Sequence, residues 1–115
     1  MSKKLMLYGA NGYTSRLIIK ELVGQNIKPI LAGRSKEKIN NLAEKHGFDS
    51  SIFSLAKPEV IDEKLNNIDV LINAAGPYSL TAKPLIDSCI RTKTHYIDIT
   101  GEIDVFVYAE SKHKD

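Results

Sequence analysis

Three small residues at regular spacing, Gly9, Gly12 and Ser15, separate a short apolar run from a helical pattern near the start of the chain. In turns of this kind the first glycine makes a sharp exit from a strand, and the second lets the backbone approach a pyrophosphate because it has no Cβ. Free N–H groups at the start of the next helix complete the anion site. The spacing therefore predicts a phosphate-binding turn. The residues assigned to it are Gly9, Asn11, Gly12, Tyr13, Thr14 and Ser15.

Ser15 stands at the third position of this pattern, where glycine normally allows the helix and strand to pack closely. Serine is only slightly larger than glycine, so we expect the packing to survive with a small outward shift of the helix. We also expect its hydroxyl to face a phosphate oxygen. The turn is therefore predicted to bind a dinucleotide. The alternatives are a plain strand–turn–helix connection and a domain that has lost binding through Ser15.

The second apolar run ends in the sequence LAGRS, about 20 residues beyond the glycine turn. NAD-binding domains carry an acid at this place, which accepts hydrogen bonds from the ribose hydroxyls, whereas this chain has Gly33. Arg34 can form a forked pair with a 2′-phosphate, and Ser35 can add a hydrogen bond. Lys38, one helical turn further on, adds positive charge. These residues predict NADP as the cofactor, and the alternative is a solvated arginine followed by a helix N-cap.

Small residues also end the fourth apolar run, in the sequence NAAGPY. We expect Asn73 to Gly76 to face the cofactor, since small side chains leave room for a ribose and a nicotinamide ring. Pro77 and Tyr78 are expected to shape the lip of the site. A strand that leaves the sheet through a Gly-Pro turn is compatible with the same residues. The candidate cofactor-binding residues here are Ala74, Ala75, Gly76 and Pro77.

Other polar residues are weaker candidates for chemistry, and no catalytic residue is assigned. Tyr108 and Lys112 have the Y-x-x-x-K spacing of short-chain dehydrogenases, which places both on one helix face. Lysine is common in this chain, so chance matches are easy. Asp98 and Glu102 are the acids considered for the mouth of the site, although structural roles at a strand end and a helix cap are favoured. No metal-binding motif occurs, so no metal site is predicted.

The elements that must position these residues alternate along the chain. Apolar runs separated by amphipathic segments predict βαβ units and a parallel sheet, and nearly continuous apolar runs indicate strands covered on both faces. Right-handed crossovers and a nucleotide-binding first turn favour the strand order 3-2-1-4-5. The predicted fold class is α/β, a Rossmann-type doubly wound parallel sheet with helices on both faces. The predicted strands are 4–9, 28–33, 50–55, 69–75 and 95–100, and the predicted helices are 13–24, 36–46, 58–65, about 81–92 with Pro84 in its first turn, and one from Glu102.

Helical periodicity also predicts which residues are buried. The inward face of the first helix is assigned to Leu17, Ile18, Leu22 and Val23, and that of the second to Ile39, Leu42, Ala43 and His46. Cys89 lies between apolar neighbours in the fourth helix and is interpreted as a core residue.

Composition limits the classes of function. The chain has 115 residues, is 43% hydrophobic and carries a net charge of +2, which suits one globular domain. Lysines and acids are interspersed, so neither a nucleic-acid surface nor a membrane surface is predicted, and no run approaches the roughly 18 apolar residues of a membrane span. The single cysteine fits a reducing compartment, and the N-terminal segment lacks a signal-peptide core. We expect a cytoplasmic protein.

Four stretches, YGANGYTSRLI, ILAGRS, INAAGPY and HYIDITGE, resemble the NADP-binding N-terminal domain of the saccharopine dehydrogenase-like family, which includes the trans-acting enoyl reductases. The resemblance covers nearly the whole chain. It implies a Rossmann fold, NADP(H) and an oxidoreductase parent that passes a hydride between nicotinamide and a carbon–nitrogen or carbon–carbon double bond. The chain departs from the pattern at Ser15, where glycine is usual, and at Ser54 and Ala56, where relatives often carry acids near the adenine.

Members of this family continue into a second domain that holds the substrate, and no residues here correspond to it. We therefore expect residues 1–115 to be an NADP-binding domain that is a fragment of a larger protein and is inactive alone. The helix from Glu102 is expected to present Ile103, Val105, Phe106 or Val107 to the missing domain, which would favour a homodimer in its absence. A non-catalytic dinucleotide-sensing module and a short-chain-dehydrogenase-like reductase are the alternatives.

Overall fold

The computed structural model describes residues 3–75 and 78–98, without the side chains of Tyr78 and Ser79. Its strands are β1 (Leu5–Tyr8), β2 (Ile30–Gly33), β3 (Ser50–Ile52), β4 (Val70–Asn73) and β5 (His95–Asp98). Its helices are α1 (Tyr13–Gly24), α2 (Lys36–His46), α3 (Pro58–Leu65) and α4 (Tyr78–Thr92). Several predictions concern residues outside the described part of the chain. They are the helix from Glu102 with Tyr108, Lys112 and the dimer surface, and the site residues Gly76 and Pro77.

The strands form one parallel sheet in the order β3-β2-β1-β4-β5, which confirms the predicted topology. The central strand β1 pairs with β2 on one side and with β4 on the other. In this register Tyr8 lies opposite both Ala32 and Asn73. The carboxyl ends of these three strands therefore meet at one edge of the sheet.

Both faces of the sheet are covered by helices, as the continuous apolar strands predicted. The cluster shared with α1 and α2 contains Leu7, Ala10, Ile19, Leu31, Ile39, Ala43 and Ile72. The cluster shared with α3 and α4 contains Met6, Tyr8, Ala32, Phe53, Ile61, Leu65, Ile68, Leu71, Leu85 and Cys89. The core role of Cys89 is confirmed, and burial raises the pKa of its thiol to about 12. No helix in the described part of the chain is long and apolar enough to cross a membrane.

The buried face of α1 differs from the predicted one. Of the four predicted residues, Ile18 and Leu22 are partly buried, whereas Leu17 and Val23 are exposed. The fully buried residues are Ser15 and Ile19, one helical turn apart. The prediction missed Ser15 because apolar periodicity counts serine as a surface residue. In the structure the Ser15 hydroxyl has an acceptor inside the protein, so this side chain can turn inward and rotate the helix away from the expected orientation.

Two further predictions about helices are wrong. Helix α4 begins at Tyr78 rather than near Thr81, so Pro84 lies in its second turn instead of its first. Hydrogen bonds of the Thr81 side chain and burial of Ala82 hold the turn before the proline in helical form. His46, expected on the inward face of α2, is exposed, and its ring stacks on Phe48 with 5.4 Å between the centroids.

Candidate functional site

A cleft of about 770 Å³ runs along the carboxyl edge of the sheet. Residues that follow β1, β2, β3 and β4 line it, because parallel strands bring these ends to the same edge. The chain leaves β1 toward β2 on one side and later adds β4 on the other side. Open α/β sheets bind ligands at such a reversal of strand order.

The glycine turn after β1 lines the middle of the cleft. Gly9 has φ +82°, and a Cβ there would lie 2.7 Å from the backbone nitrogen of Ala75. Among the described residues, a Cβ on Gly12 would meet only the Gly9 carbonyl oxygen, at 3.5 Å. Gly9 is therefore required by the fold itself, whereas Gly12 leaves its outer side open to a ligand.

The Ser15 side chain is fully buried, and its hydroxyl donates a hydrogen bond to the Gly9 carbonyl oxygen at 2.8 Å. The expectation that this hydroxyl faces a phosphate is thus wrong, because the nearest acceptor belongs to the turn itself. The close packing expected of the third position is confirmed. Ser15 contributes to the site by holding the turn in shape.

The N-terminus of α1 adjoins the same turn. Its N-cap is Gly12, and no side chain in the described part of the chain caps the helix or places an acid in its first turn. The first N–H groups of a helix have no acceptor within it, and the helix dipole favours an anion there. The side chains of Tyr13 and Thr14 are exposed and do not line the cleft. What these two residues offer to a ligand is their backbone N–H groups.

The end of β2 supplies the positive part of the cleft. Arg34, Ser35 and Lys38 line it together, as the sequence predicted. Ser35 is also the N-cap of α2, since its hydroxyl accepts a hydrogen bond from the Lys38 N–H at 3.4 Å. A Cβ on Gly33 would lie 2.8 Å from Cδ1 of Ile39, which is fully buried. No carboxylate therefore fits at Gly33 unless Ile39 moves.

The end of β4 forms the other side of the cleft, which Ala74 and Ala75 line as predicted. Asn73 was expected to face the cofactor, but its side chain is fully buried and bonded inside the protein. Asp98, considered for the mouth of the site, does not line the cleft, and its carboxylate accepts a hydrogen bond from Tyr96 Oη at 2.5 Å.

Seven residues that line the cleft were not among the assigned cofactor-binding residues, namely Tyr8, Gly33, Ser54, Leu55, Ala56, Leu80 and Thr81. The family resemblance alone placed Ser54 and Ala56 near the adenine. The three that follow β3 were detectable, because the predicted strand order brings the end of β3 to the same edge. Leu80 was not, because the helix was expected to begin after it, at about Thr81. Tyr8 was missed because its place in an apolar run is typical of an ordinary buried strand residue. Its hydroxyl donates to the Phe53 carbonyl oxygen at 3.0 Å, and burial raises its pKa while the Arg34 charge lowers it in part.

The described residues contain no group of three or more His, Cys, Asp or Glu side chains that could hold a metal ion. The site is thus made of glycine backbone, a helix N-terminus, basic and hydroxyl groups, and small apolar side chains. This combination suits a long anionic ligand with apolar rings.

Comparison with known proteins identifies that ligand class. Residues 5–114 match the model of the family described as saccharopine dehydrogenase NADP binding domain. The chain belongs to this family. The predicted cofactor, NADP, and the predicted role as a cofactor-binding domain are thereby confirmed.

The relatives are much longer than this chain. Human saccharopine dehydrogenase-like oxidoreductase is 29% identical over 117 residues, which cover 85% of this chain and 27% of the human protein. The trans-acting enoyl reductase of Mycobacterium leprae (strain TN) is 30% identical over 106 residues, which cover 86% of this chain and 25% of that protein. The chain therefore spans about a quarter of the length of these curated relatives.

A solved structure of similar fold is apo saccharopine dehydrogenase (L-Glu forming) from Saccharomyces cerevisiae. It aligns with a TM-score of 0.81 and 23% identity, over 96% of this chain and 24% of the yeast chain. At this level of identity the similarity concerns the fold. It supports the doubly wound parallel sheet described above.

Proposed function

We propose that this chain is the cofactor domain of an NADP-dependent oxidoreductase, and that it selects NADP through the adenosine 2′-phosphate. The observation that carries this proposal is the group Arg34, Ser35 and Lys38 at the end of β2, beside Gly33, where a side chain would require Ile39 to move. A guanidinium forms paired hydrogen bonds with phosphate, and a nearby carboxylate would repel it.

The other parts of the cleft fit the pyrophosphate and the nicotinamide half of the cofactor, in the order in which these groups follow the adenosine. The pyrophosphate suits the open side of Gly12 and the uncapped N-terminus of α1. The nicotinamide half suits the other side of β1, where Ala74 and Ala75 have small side chains. When bound, NADPH supplies a hydride, and the residues of this chain bind and orient it. We assign no proton transfer to any described residue.

The relatives support a proposal about the activity of the whole protein. Curated relatives are named as oxidoreductases and enoyl reductases. We propose that the parent protein passes a hydride between NADP(H) and a carbon–nitrogen or carbon–carbon double bond. The 115-residue chain alone is proposed to be inactive, because it spans about a quarter of such a protein.

The selectivity for NADP can be tested with Arg34→Ala. Loss of charge-assisted hydrogen bonds should weaken NADPH binding about 10- to 100-fold and leave NADH affinity nearly unchanged. Isothermal titration calorimetry of both cofactors measures this difference. The matched control is Lys36→Ala, which removes an exposed positive charge near Arg34 that does not line the cleft. Equal affinity of the wild-type chain for both cofactors would contradict the proposal, and so would unchanged NADPH binding by Arg34→Ala.

A further inference from the structure

A connected set of hydrogen bonds lies under the loop that follows β4. Asn73, the last residue of this strand, is fully buried. Its Nδ2 donates to Thr81 Oγ1 at 3.1 Å and to Tyr96 Oη at 3.0 Å, and its Oδ1 accepts from the Ala75 N–H at 3.0 Å. Thr81 Oγ1 donates to the Ala75 carbonyl oxygen at 2.9 Å. Both polar backbone groups of Ala75 are therefore held by side chains.

The protons of this network have one consistent arrangement. Tyr96 gives its hydroxyl proton to the Asp98 carboxylate, and Thr81 gives its proton to Ala75, so both hydroxyls present only lone pairs to Asn73. Asn73 must then donate twice and accept once. An amide has both capacities, whereas a carboxylate of the same size has no proton to donate. Burial and the bond to Asp98 raise the pKa of Tyr96, so its hydroxyl keeps the proton that the arrangement requires.

The residue held by the network lies directly against the phosphate-binding turn. A Cβ on Gly9 would come within 2.7 Å of both the nitrogen and the Cα of Ala75. Ala75 and Thr81 also line the cleft, on the side of β1 opposite Arg34. A displacement of Ala75 would therefore change the space available at this end of the cleft without reaching the basic end.

We propose that Asn73 is a positioning residue, which fixes the nicotinamide half of the cofactor site through Ala75, Thr81 and Tyr96. It acts without contacting the cofactor, because its own side chain has no exposed surface. An apolar side chain at this buried position would avoid the free-energy cost of removing an amide from water. The amide is explained by the Ala75 N–H and the two hydroxyls that it holds in place. This inference rests on the proposed function, which places the nicotinamide half beside β4.

The test compares two ligands that differ in how much of the cleft they occupy. NADPH spans both halves, whereas 2′,5′-ADP carries the adenosine end with its phosphates and no nicotinamide. Asn73→Asp keeps the size of the side chain but removes both donated hydrogen bonds. We expect it to weaken NADPH binding about tenfold and to change 2′,5′-ADP binding by less than about twofold. General damage to the fold would not discriminate between the two ligands.

A second variant covers the case in which Asn73→Asp does not fold. Tyr96→Phe removes one acceptor of the Asn73 amide and introduces no charge, and its hydroxyl does not line the cleft. It should weaken NADPH binding about threefold and leave 2′,5′-ADP binding unchanged. Thr92→Val is the matched control, since it removes a bonded hydroxyl from α4 at the end away from the cleft. It should alter neither affinity.

The outcomes separate this inference from the proposed function. A wild-type chain that binds neither ligand would overturn the proposed function. If the wild-type chain binds both ligands and the folded variants lose both equally or lose neither, the positioning role of Asn73 is wrong. Selective loss of NADPH supports it.

Discussion

At the scale of single residues, Gly9 matters to both the fold and the site, because it packs closely against Ala75 and also lines the cleft. Gly9→Ala would place a Cβ 2.7 Å from the Ala75 backbone, in a residue with φ +82°. The left-handed backbone costs about 1–2 kcal/mol for a residue with a Cβ, and overpacking adds about 1–3 kcal/mol. We expect a loss of about 3 kcal/mol in the free energy of unfolding, measured by urea denaturation.

Two other glycines, Gly47 and Gly24, separate the cost of the left-handed backbone from the cost of overpacking. Gly47 has φ +73°, and no atom of the described part of the chain would lie within 4 Å of a Cβ on it, so Gly47→Ala tests backbone strain alone. Gly24, at the end of α1, has neither feature, and Gly24→Ala should leave stability unchanged or slightly higher. If Gly9→Ala costs no more than Gly47→Ala, close packing of Ala75 against the turn is not energetically important.

At the scale of elements, helices α3 and α4 are joined by a charged contact. The Asp62 carboxylate accepts hydrogen bonds from Arg91 Nε at 2.8 Å, from Arg91 Nη2 at 2.9 Å and from Ser88 Oγ at 2.5 Å. The Arg91 and Ser88 hydrogen bonds lower the pKa of Asp62 in the folded chain. Its stabilising effect is therefore present above the ordinary aspartate pKa of about 3.9 and is lost as the pH falls through the lower folded value.

We expect Asp62→Asn to reduce the free energy of unfolding by about 1 kcal/mol at neutral pH, because the contact is partly exposed and screened. The difference from the wild-type chain should shrink as the pH falls below the ordinary aspartate pKa of about 3.9 and through the lower folded value, because Asp62 then becomes neutral. Thermal unfolding across this pH range measures it. Glu63→Gln, which changes a neighbouring exposed acid on α3, is the control. A difference that stays constant down to acid pH would exclude the ionised carboxylate as its source.

At the scale of the whole molecule, the described part of the cleft is open to solvent, and Leu80, which lines it, is 71% exposed. Hydride transfer requires the substrate carbon to be held next to the nicotinamide, and such orientation supplies on the order of 7–11 kcal/mol of barrier lowering. We therefore expect the purified 115-residue chain to bind NADPH without consuming it. Loss of NADPH absorbance with a panel of imine and enoyl substrates is the measurement. Turnover that Tyr108→Phe abolishes would contradict this expectation and support the short-chain-dehydrogenase alternative.

The sequence alone determined those features that depend on neighbouring residues. Continuous apolar runs indicated strands buried on both faces, and the turn at Gly9 and Gly12 indicated which strand is central. Ser35 and Gly47 marked the beginning and end of α2. Strand order then placed Arg34 at the ligand-binding edge, because parallel strands end side by side.

Only the tertiary structure decided which polar side chains form hydrogen bonds with residues far away in the sequence. Ser15 turned inward because the Gly9 carbonyl oxygen accepts its hydroxyl proton. The Asn73 side chain does not face the cleft, because Thr81 and Tyr96 supply hydrogen-bond acceptors for its amide inside the protein. Hydrophobic periodicity cannot locate such acceptors. Hydrophobic patterning measures the average polarity of a helix or strand face. A buried polar group is instead stabilised by particular partner atoms, and chain folding alone brings those atoms within hydrogen-bonding distance.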